Sequence, residues 1–389
     1  MRTIWIVVAL AFAPPARVAA QQSVTDVLTF LVTNQSVNTG NFEQDRAAAQ
    51  ATSDTISRAL LANLATLPVN TSSSGFVYRL NPSLGTAARV TQSFGPFFVE
   101  RALTAGSRQA SVGLTVQQMH FTSLGDNDLR AGSLVTTANQ FVDERAPFDV
   151  DQLTLKIDAT VATLYANLGI SDRLEVGLAT PMIALRVDGS RVNTYFGRTL
   201  TQARASATSV GLADMVVRGK VNLYSGNSIA LATAADVRLP TGRRQDLLGA
   251  GSMSVRVAGI ASVESGRWST HANGGISLGG LAREFNYGGA VAVAATGRVT
   301  VTGELLGRRL DGPGGFSAVS APNANIVGVE TIRLVPDAST LTMITALPGV
   351  KWNVSDTWVL AANVSVPLRK AGLTAPFIPF IGLDYAFGR

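Results

Sequence analysis

Residues 215–239 read MVVRGKVNLYSGNSIALATAADVRL. Two alternating runs flank the turn-forming Ser225-Gly226-Asn227. In the first, Met215, Val217, Gly219, Val221 and Leu223 share one face, and Asp214, Val216, Arg218, Lys220 and Asn222 share the other. In the second, Ile229, Leu231, Thr233, Ala235, Val237 and Leu239 stand opposite Ala230, Ala232, Ala234, Asp236 and Arg238. A period of two is that of a strand, whose successive side chains point to opposite faces. Both runs exceed the five or six residues most common in globular strands and match the roughly 9–11 of a tilted membrane strand. One face is apolar and the other small, polar or charged, which suits a wall between lipid and a polar lumen.

The same period recurs at Val112–Val116, Leu153–Val161, Leu174–Leu178, Met253–Val263, Val299–Leu305, Leu341–Leu347, Val359–Val366 and Phe377–Phe387. Short turns separate many of these runs, as at 169–173, 265–267, 297–298 and 355–356, while 188–210 and 310–325 read as longer loops. Short turns on one side and long loops on the other are the outer-membrane pattern. Closure into a barrel also leaves no strand edge exposed. The expected fold is all-β, an antiparallel transmembrane β-barrel of 12 strands, with 14 as the alternative, over residues 108–389. A soluble sandwich is disfavoured by strand length, and a 22-stranded receptor with a plug domain does not fit the chain.

Ahead of the barrel, Met1-Arg2, the apolar run Ile4–Ala13 and the small residues Val18-Ala19-Ala20 form the three-part pattern of an export signal over 1–20. Residues 21–107 form a helix and loop segment, expected in the periplasm or as a plug. Within it, a helix capped at Asn41 or Asp45 is expected from Phe42 to Leu67, with Ile56, Leu60, Leu61 and Leu64 as its apolar stripe. Charged residues make up 15% of the 389, where a soluble domain carries about 25%. Of 32 basic residues only four are lysine, and no basic run or aromatic interleaving points to nucleic acid. The absence of cysteine excludes disulfide frameworks and thiolate metal sites.

Several segments carry a family likeness. Gly211–Lys220 (GLADMVVRGK), Leu239–Gly242 with Leu247–Gly251 (LPTG, LLGAG), Asn167–Glu175 (NLGISDRLE) and Leu347–Asp356 (LPGVKWNVSD) resemble, in order, motifs of the MetA-pathway of phenol degradation family. Ala213 stands where that family usually has glycine, and Arg243-Arg244 where acidic residues are common. The resemblance implies an outer-membrane barrel that passes small apolar or aromatic solutes, and no chemistry. The closing strand Phe377–Phe387 resembles the C-terminal signal read by the barrel-assembly machinery, although Gly388-Arg389 follow the final aromatic.

Catalysis finds little support. Gly275-Ile276-Ser277-Leu278-Gly279 fits the hydrolase elbow only as a string, since it lies in an alternating stretch, and His120 and His271 are the only histidines. No catalytic, metal or cofactor site is expected. Asp143-Glu144 with Asp149 and Asp151 reads as a solvated acidic loop rather than a calcium site.

The charges expected to face the lumen are Lys156, Asp158, Asp214, Arg218, Lys220, Asp236, Arg238, Arg256, Glu304 and Asp384. Facing lipid at mid-membrane, each would cost roughly 2–4 kcal/mol. Cross-strand pairing, as of Arg218 or Lys220 with Asp236, is weighed against direct solute contact. The expected function is passive uptake of small apolar or aromatic solutes across the bacterial outer membrane. The alternative is a non-transporting structural barrel that contacts lipopolysaccharide phosphates through its arginines. The expected partners are outer-membrane lipid and lipopolysaccharide, the barrel-assembly machinery and the solute, with no nucleic acid.

Overall fold

The computed structural model describes residues 22–33, 36–64, 78–81, 86–89, 91–312, 315–337, 339–355 and 357–387. The expected export signal lies outside the described residues. The main sheet contains β1 (Ala110–Phe121), β2 (Leu134–Phe141), β3 (Asp149–Gly169), β4 (Leu174–Tyr195), β5 (Arg198–Leu212), β6 (Met215–Ser225), β7 (Ile229–Leu239) and β8 (Ser254–Ser265). It continues with β9 (Trp268–Gly279), β10 (Glu284–Ala294), β11 (Val299–Leu310), β12 (Gly315–Pro322), β13 (Val329–Asp337), β14 (Leu341–Ser355), β15 (Trp358–Pro367) and β16 (Ile378–Phe387).

Twelve of these close into an antiparallel barrel: β1, β3, β4, β6 to β11, and β14 to β16, with β16 returning to β1. That settles 12 over 14. Turns at one end are short, as between β8 and β9 or β14 and β15, and the ends of β1 and β16 meet there at Ala110 and Phe387. The outward row is apolar, for example Val112, Leu114 and Val116 on β1 and Leu164 and Leu168 on β3. Near the short-turn end it becomes aromatic, with Trp268, Trp352, Trp358 and Phe387 all exposed. Amphipathic rings at the water boundary are a membrane-interface feature.

Strands β3 and β4 run 21 and 22 residues, longer than the wall needs. Their near halves pair with β1 and β6, and their far halves pair with β2 and β5. Strands β13 and β12 extend this flange from β2. The expected loops at 188–210 and 310–325 are therefore largely strand. The inner row of the flange is buried under helices while its outer row is polar, so its composition looks loop-like although its pairing is regular.

The covering helices are α1 (Val24–Thr33) and α2 (Phe42–Leu64). Helix α1 starts with reciprocal bonds between Ser23 and Asp26, at 3.1 and 3.3 Å. Its Val24, Val27, Leu28, Leu31 and Val32 recur at helical spacing and are buried against Leu155, Ile157, Leu185 and Val187 of the flange. Each fully buried leucine is worth about 2 kcal/mol of apolar transfer. Leu31 approaches so closely that a Cβ at Gly189 would overlap it. Helix α2 is capped by Asn41, whose Oδ1 accepts the Gln44 N–H at 3.1 Å, and buries Ile56, Leu60, Leu61 and Leu64 as expected.

Candidate functional site

Residues 93–105 lie across the lumen and are bonded to its wall on several sides. Ser93 Oγ and Phe94 N–H meet Ser269 Oγ at 2.8 Å and Thr300 Oγ1 at 3.0 Å. Lys351 Nζ donates to the Pro96 carbonyl at 2.9 Å and sits over the Phe97 ring. Glu304 accepts three consecutive backbone N–H groups: Phe97 at 2.5 Å, and Phe98 and Val99 at 2.8 Å each. Glu100 pairs with Arg218, and Arg101 with Glu264 at 2.9 Å. Further on, Ala102 N–H donates to Ser262 Oγ at 2.8 Å, Lys220 Nζ to the Leu103 carbonyl at 3.3 Å, and Ala105 N–H to Glu175 at 2.7 Å.

These contacts account for many of the charges singled out in the sequence. Arg218 pairs with Asp236 at 3.1 Å, and Arg256 holds the same carboxylate at 3.1 Å. Lys220 pairs instead with Glu175, at 3.3 Å. Arg238 lines the main cavity described below. Asp384 is buried on the inner wall, where it and Tyr165 converge above Gly113, a position with no side chain of its own. Asp214 has another task. It accepts the N–H of Gly242 at 3.0 Å and of Ala250 at 2.7 Å, closing the loop that leaves β7.

Lys156 and Asp158 depart from expectation. Their row on β3 faces outward, and Leu155, Ile157 and Ala159 turn inward. The interior at that height holds helices rather than water, so the apolar row belongs inside and the charges outside. Asp149 and Asp151, read as a solvated loop, are buried in the flange, where Ser36 N–H reaches Asp151 at 2.7 Å.

Sequence reasoning passed over Arg308, whose Nε and Nη2 reach the two oxygens of Glu284 at 2.8 Å each and whose Nη1 reaches the Ala62 carbonyl of α2 at 3.2 Å. The signal was present. Glu304 faces inward, so Leu306 and Arg308 do also. The same alternation, with Val350, Trp352 and Val354 as the outward apolar row, would have reached Lys351.

Beside residues 98–100, toward the flange end, lies an open cavity of about 1050 Å³. Phe98, Val99, Leu281, Tyr287 and Leu306 supply its apolar side. Its polar side holds Asp236 with Arg256, Glu284 with Arg308, Arg238, Ser277, Asn273 and Asn286. A second cavity of about 630 Å³ shares Phe98, Leu306 and Arg308 with the first. A third, of about 420 Å³, lies between α2 and the end of β11 and shares Leu281 and Ala282 with the first. The three adjoin one another across these shared wall residues, between the flange side and the segment crossing the lumen.

Ser277 is on this wall, 3.5 Å from Asn286 Nδ2, and its strand context is not that of a nucleophile elbow. His271 is committed elsewhere, to Ser262 Oγ at 2.8 Å and Ser269 Oγ at 3.1 Å.

The family described as "Putative MetA-pathway of phenol degradation" matches residues 131–372, well over half of the chain. The chain belongs to this family. It is a bacterial outer-membrane β-barrel. No curated protein matches it. Among solved structures, the COG4313 outer membrane channel from Pseudomonas putida F1 is similar at 13% identity and a TM-score of 0.47, over 72% of this chain and 96% of that one. The KdgM porin, solved with disordered oligogalacturonate, is similar at 8% identity and a TM-score of 0.36, over 62% and 99%. The NanC porin follows at 5% and 0.37, over 70% and 98%. The architecture of this family member rests on its own strand register.

Proposed function

We propose that this barrel is a channel for passive entry of small apolar or aromatic solutes, with residues 91–107 acting as its plug. The observation that carries the reading is the chain of adjoining cavities in the lumen. Phe98, Tyr287 and Leu306 offer ring and aliphatic contact, whereas the facing charges are largely satisfied by one another, as in Arg308–Glu284 and Arg256–Asp236. A cavity whose ions are already paired gains little from a charged solute and leaves neutral, partly apolar molecules as its natural occupants. Of the charges expected in the lumen, Arg218, Lys220 and Glu304 fasten the plug, and Asp236, Arg238 and Arg256 line the wall beside it. The outward aromatic Phe387 that closes β16 is the feature offered to the assembly machinery.

The test is uptake of a small neutral aromatic compound into liposomes containing the full mature protein. Leu306→Trp, which fills the shared part of the two larger cavities, is expected to reduce flux at least tenfold while the barrel still migrates as folded. A non-transporting barrel is the second reading, motivated by the many bonds between residues 93–105 and the wall. Equal, protein-independent permeation in both samples would favour it.

A further inference from the structure

The outer face of β1, β3, β4 and β5 is layered by strand register. Val116, Ala162, Met182 and Leu212 lie in one outward row, and Gln118, Thr160, Ala184 and Val210 in the next. These rows end the apolar surface, since from Leu168 to Thr160 the eight steps of β3 run roughly 26 Å along a tilted strand. Immediately above them come His120, Asp158, Arg186 and Thr208, then Lys156, Asp188 and Ser206, then Thr154, Ser190 and Arg204. The step from the last mixed row to the first charged one is about 6–7 Å along the strand.

This band is cationic and open. The side chains of Lys156 and Arg186 are 60% and 64% exposed, and Arg204 is exposed. Two carboxylates are paired within the band, and a third, Asp128, lies beside Arg130. Asp158 is shared by His120 at 2.6 Å, Arg130 at 3.6 Å and Lys156 at 3.9 Å, and Asp188 is held by Arg186 at 2.8 Å. Lys156, Arg186, Arg204 and Arg130 thus outnumber the carboxylates Asp158, Asp188 and Asp128 on the lipid side of the wall, at the level where headgroups replace acyl chains. The ion pairs among them hold the long side chains in place and leave guanidinium and ammonium donors unused. Such donors suit phosphate oxygens, to which guanidinium binds bidentately.

We propose that this patch binds the phosphate groups of the phosphorylated glycolipid of the outer leaflet. The site is on the outside of the wall, so it stands whether or not the lumen conducts. It seats one flank of the barrel, the flank carrying the flange, against the lipid that surrounds it.

The full mature protein in detergent is titrated with diphosphorylated lipid A, with its dephosphorylated counterpart and with inorganic phosphate, and lipid retention is read by phosphate and fatty-acid analysis after gel filtration. Wild-type protein is expected to retain the phosphorylated form preferentially. At roughly 1 kcal/mol per cation near an anionic lipid surface, removing three charges in Lys156→Gln/Arg186→Gln/Arg204→Gln weakens retention about a hundredfold. Arg298→Gln at the short-turn end, and the charge-preserving Lys156→Arg/Arg186→Lys, are expected to retain lipid as the wild type does. All of these positions are exposed, and heat-dependent gel migration verifies that each variant is folded. Equal retention by the triple variant, equal retention of the dephosphorylated lipid, or displacement of bound lipid by millimolar inorganic phosphate would each overturn the proposal.

Discussion

Replacing Glu304 by glutamine changes one oxygen to NH2 and leaves the shape alone, which isolates what its charge does. In the wild type one buried carboxylate takes the Phe97, Phe98 and Val99 N–H groups, at 2.5, 2.8 and 2.8 Å. Hydrogen bonds to a charged acceptor are worth about 1.5–3 kcal/mol each, against about 1 kcal/mol for neutral ones. The amide keeps one acceptor oxygen and presents a donor where another N–H points. Two bonds fall by about 1 kcal/mol each, and a third donor is left facing a donor at a further cost of about 1 kcal/mol or more. The loss is about 3 kcal/mol, or a factor of roughly a hundred in the balance between seated and displaced segment. Planar-bilayer recording of the full mature protein reads this directly. Wild-type channels are expected to open rarely, and the Glu304→Gln fraction of time open to rise about a hundredfold with unchanged conductance per opening. A folded variant whose open fraction matches the wild type would refute the view that residues 93–105 control the path.

Three further outcomes follow from the same geometry. Gly113→Ala places a methyl group against the Asp384 carboxylate and the Tyr165 ring, so urea unfolding is expected at a lower midpoint by about 1–3 kcal/mol, and an unchanged midpoint would contradict the packing there. Asp214→Ala removes the acceptor for Gly242 and Ala250, at about 1–3 kcal/mol for each buried donor left unmet, so trypsin is expected to cut at Arg243-Arg244 at least tenfold faster, and equal cleavage rates would count against the role given to Asp214. In the flange beyond the membrane, burial pushes the Asp151 and Asp149 carboxyls above their ordinary value of 3.8, more than the Ser36 N–H and Arg191 draw Asp151 back or the Asn193 amide draws Asp149 back. A raised carboxyl favours the folded state in its protonated form, so this contribution is complete below the ordinary value and is lost as pH climbs through the raised one. Exchange protection of α1 amides, corrected for intrinsic rates, is expected to fall as pH rises from that value, and constant protection would refute the linkage.

The barrel was legible because its wall obeys one rule throughout. In the run 215–239 the alternation, the turn and the inward charges all hold, and Arg218 and Asp236 are paired across the register as their spacing implied. The rule failed at Lys156 and Asp158 because it assumes water inside and acyl chains outside, whereas at the flange helices are inside and a polar layer lies outside. Alternation identifies two faces and cannot say which medium each meets. The flange strands at 188–210 and 315–322 were hidden for a related reason: polar outer rows with small residues have the composition of loops. Within the site, Arg308 and Lys351 were within reach of the parity argument. The role of residues 93–105 was not, because a segment without regular structure carries no period, and its bonds are made largely by its backbone.

That backbone attachment also orders the proposed opening. Past the anchors at Ser93, Phe94 and Pro96, the stretches 97–99 and 100–105 are held by different numbers of independent groups. From Glu100 to Ala105 the wall supplies Arg218, Glu264, Ser262, Lys220 and Glu175, on three strands. From Phe97 to Val99 all three N–H groups depend on Glu304 alone. Removing Lys220 or Ser262 leaves several other attachments in place, whereas weakening Glu304 releases a whole turn of chain at once. The buried charges sharpen the contrast. Arg218 cannot lose Glu100 without being exposed to water or falling back on Asp236 alone, and a buried charge stripped of a partner is costly. At 97–99 the chain borders the cavity through Phe98 and Val99, and Glu304 keeps Lys351 as a charged neighbour when the segment leaves. Displacement is therefore expected to begin at 97–99 and pivot about 100–105, and Lys220→Met is expected to change the open fraction much less than Glu304→Gln. Equal effects of the two substitutions in bilayer recordings would mean that the segment leaves as one rigid piece.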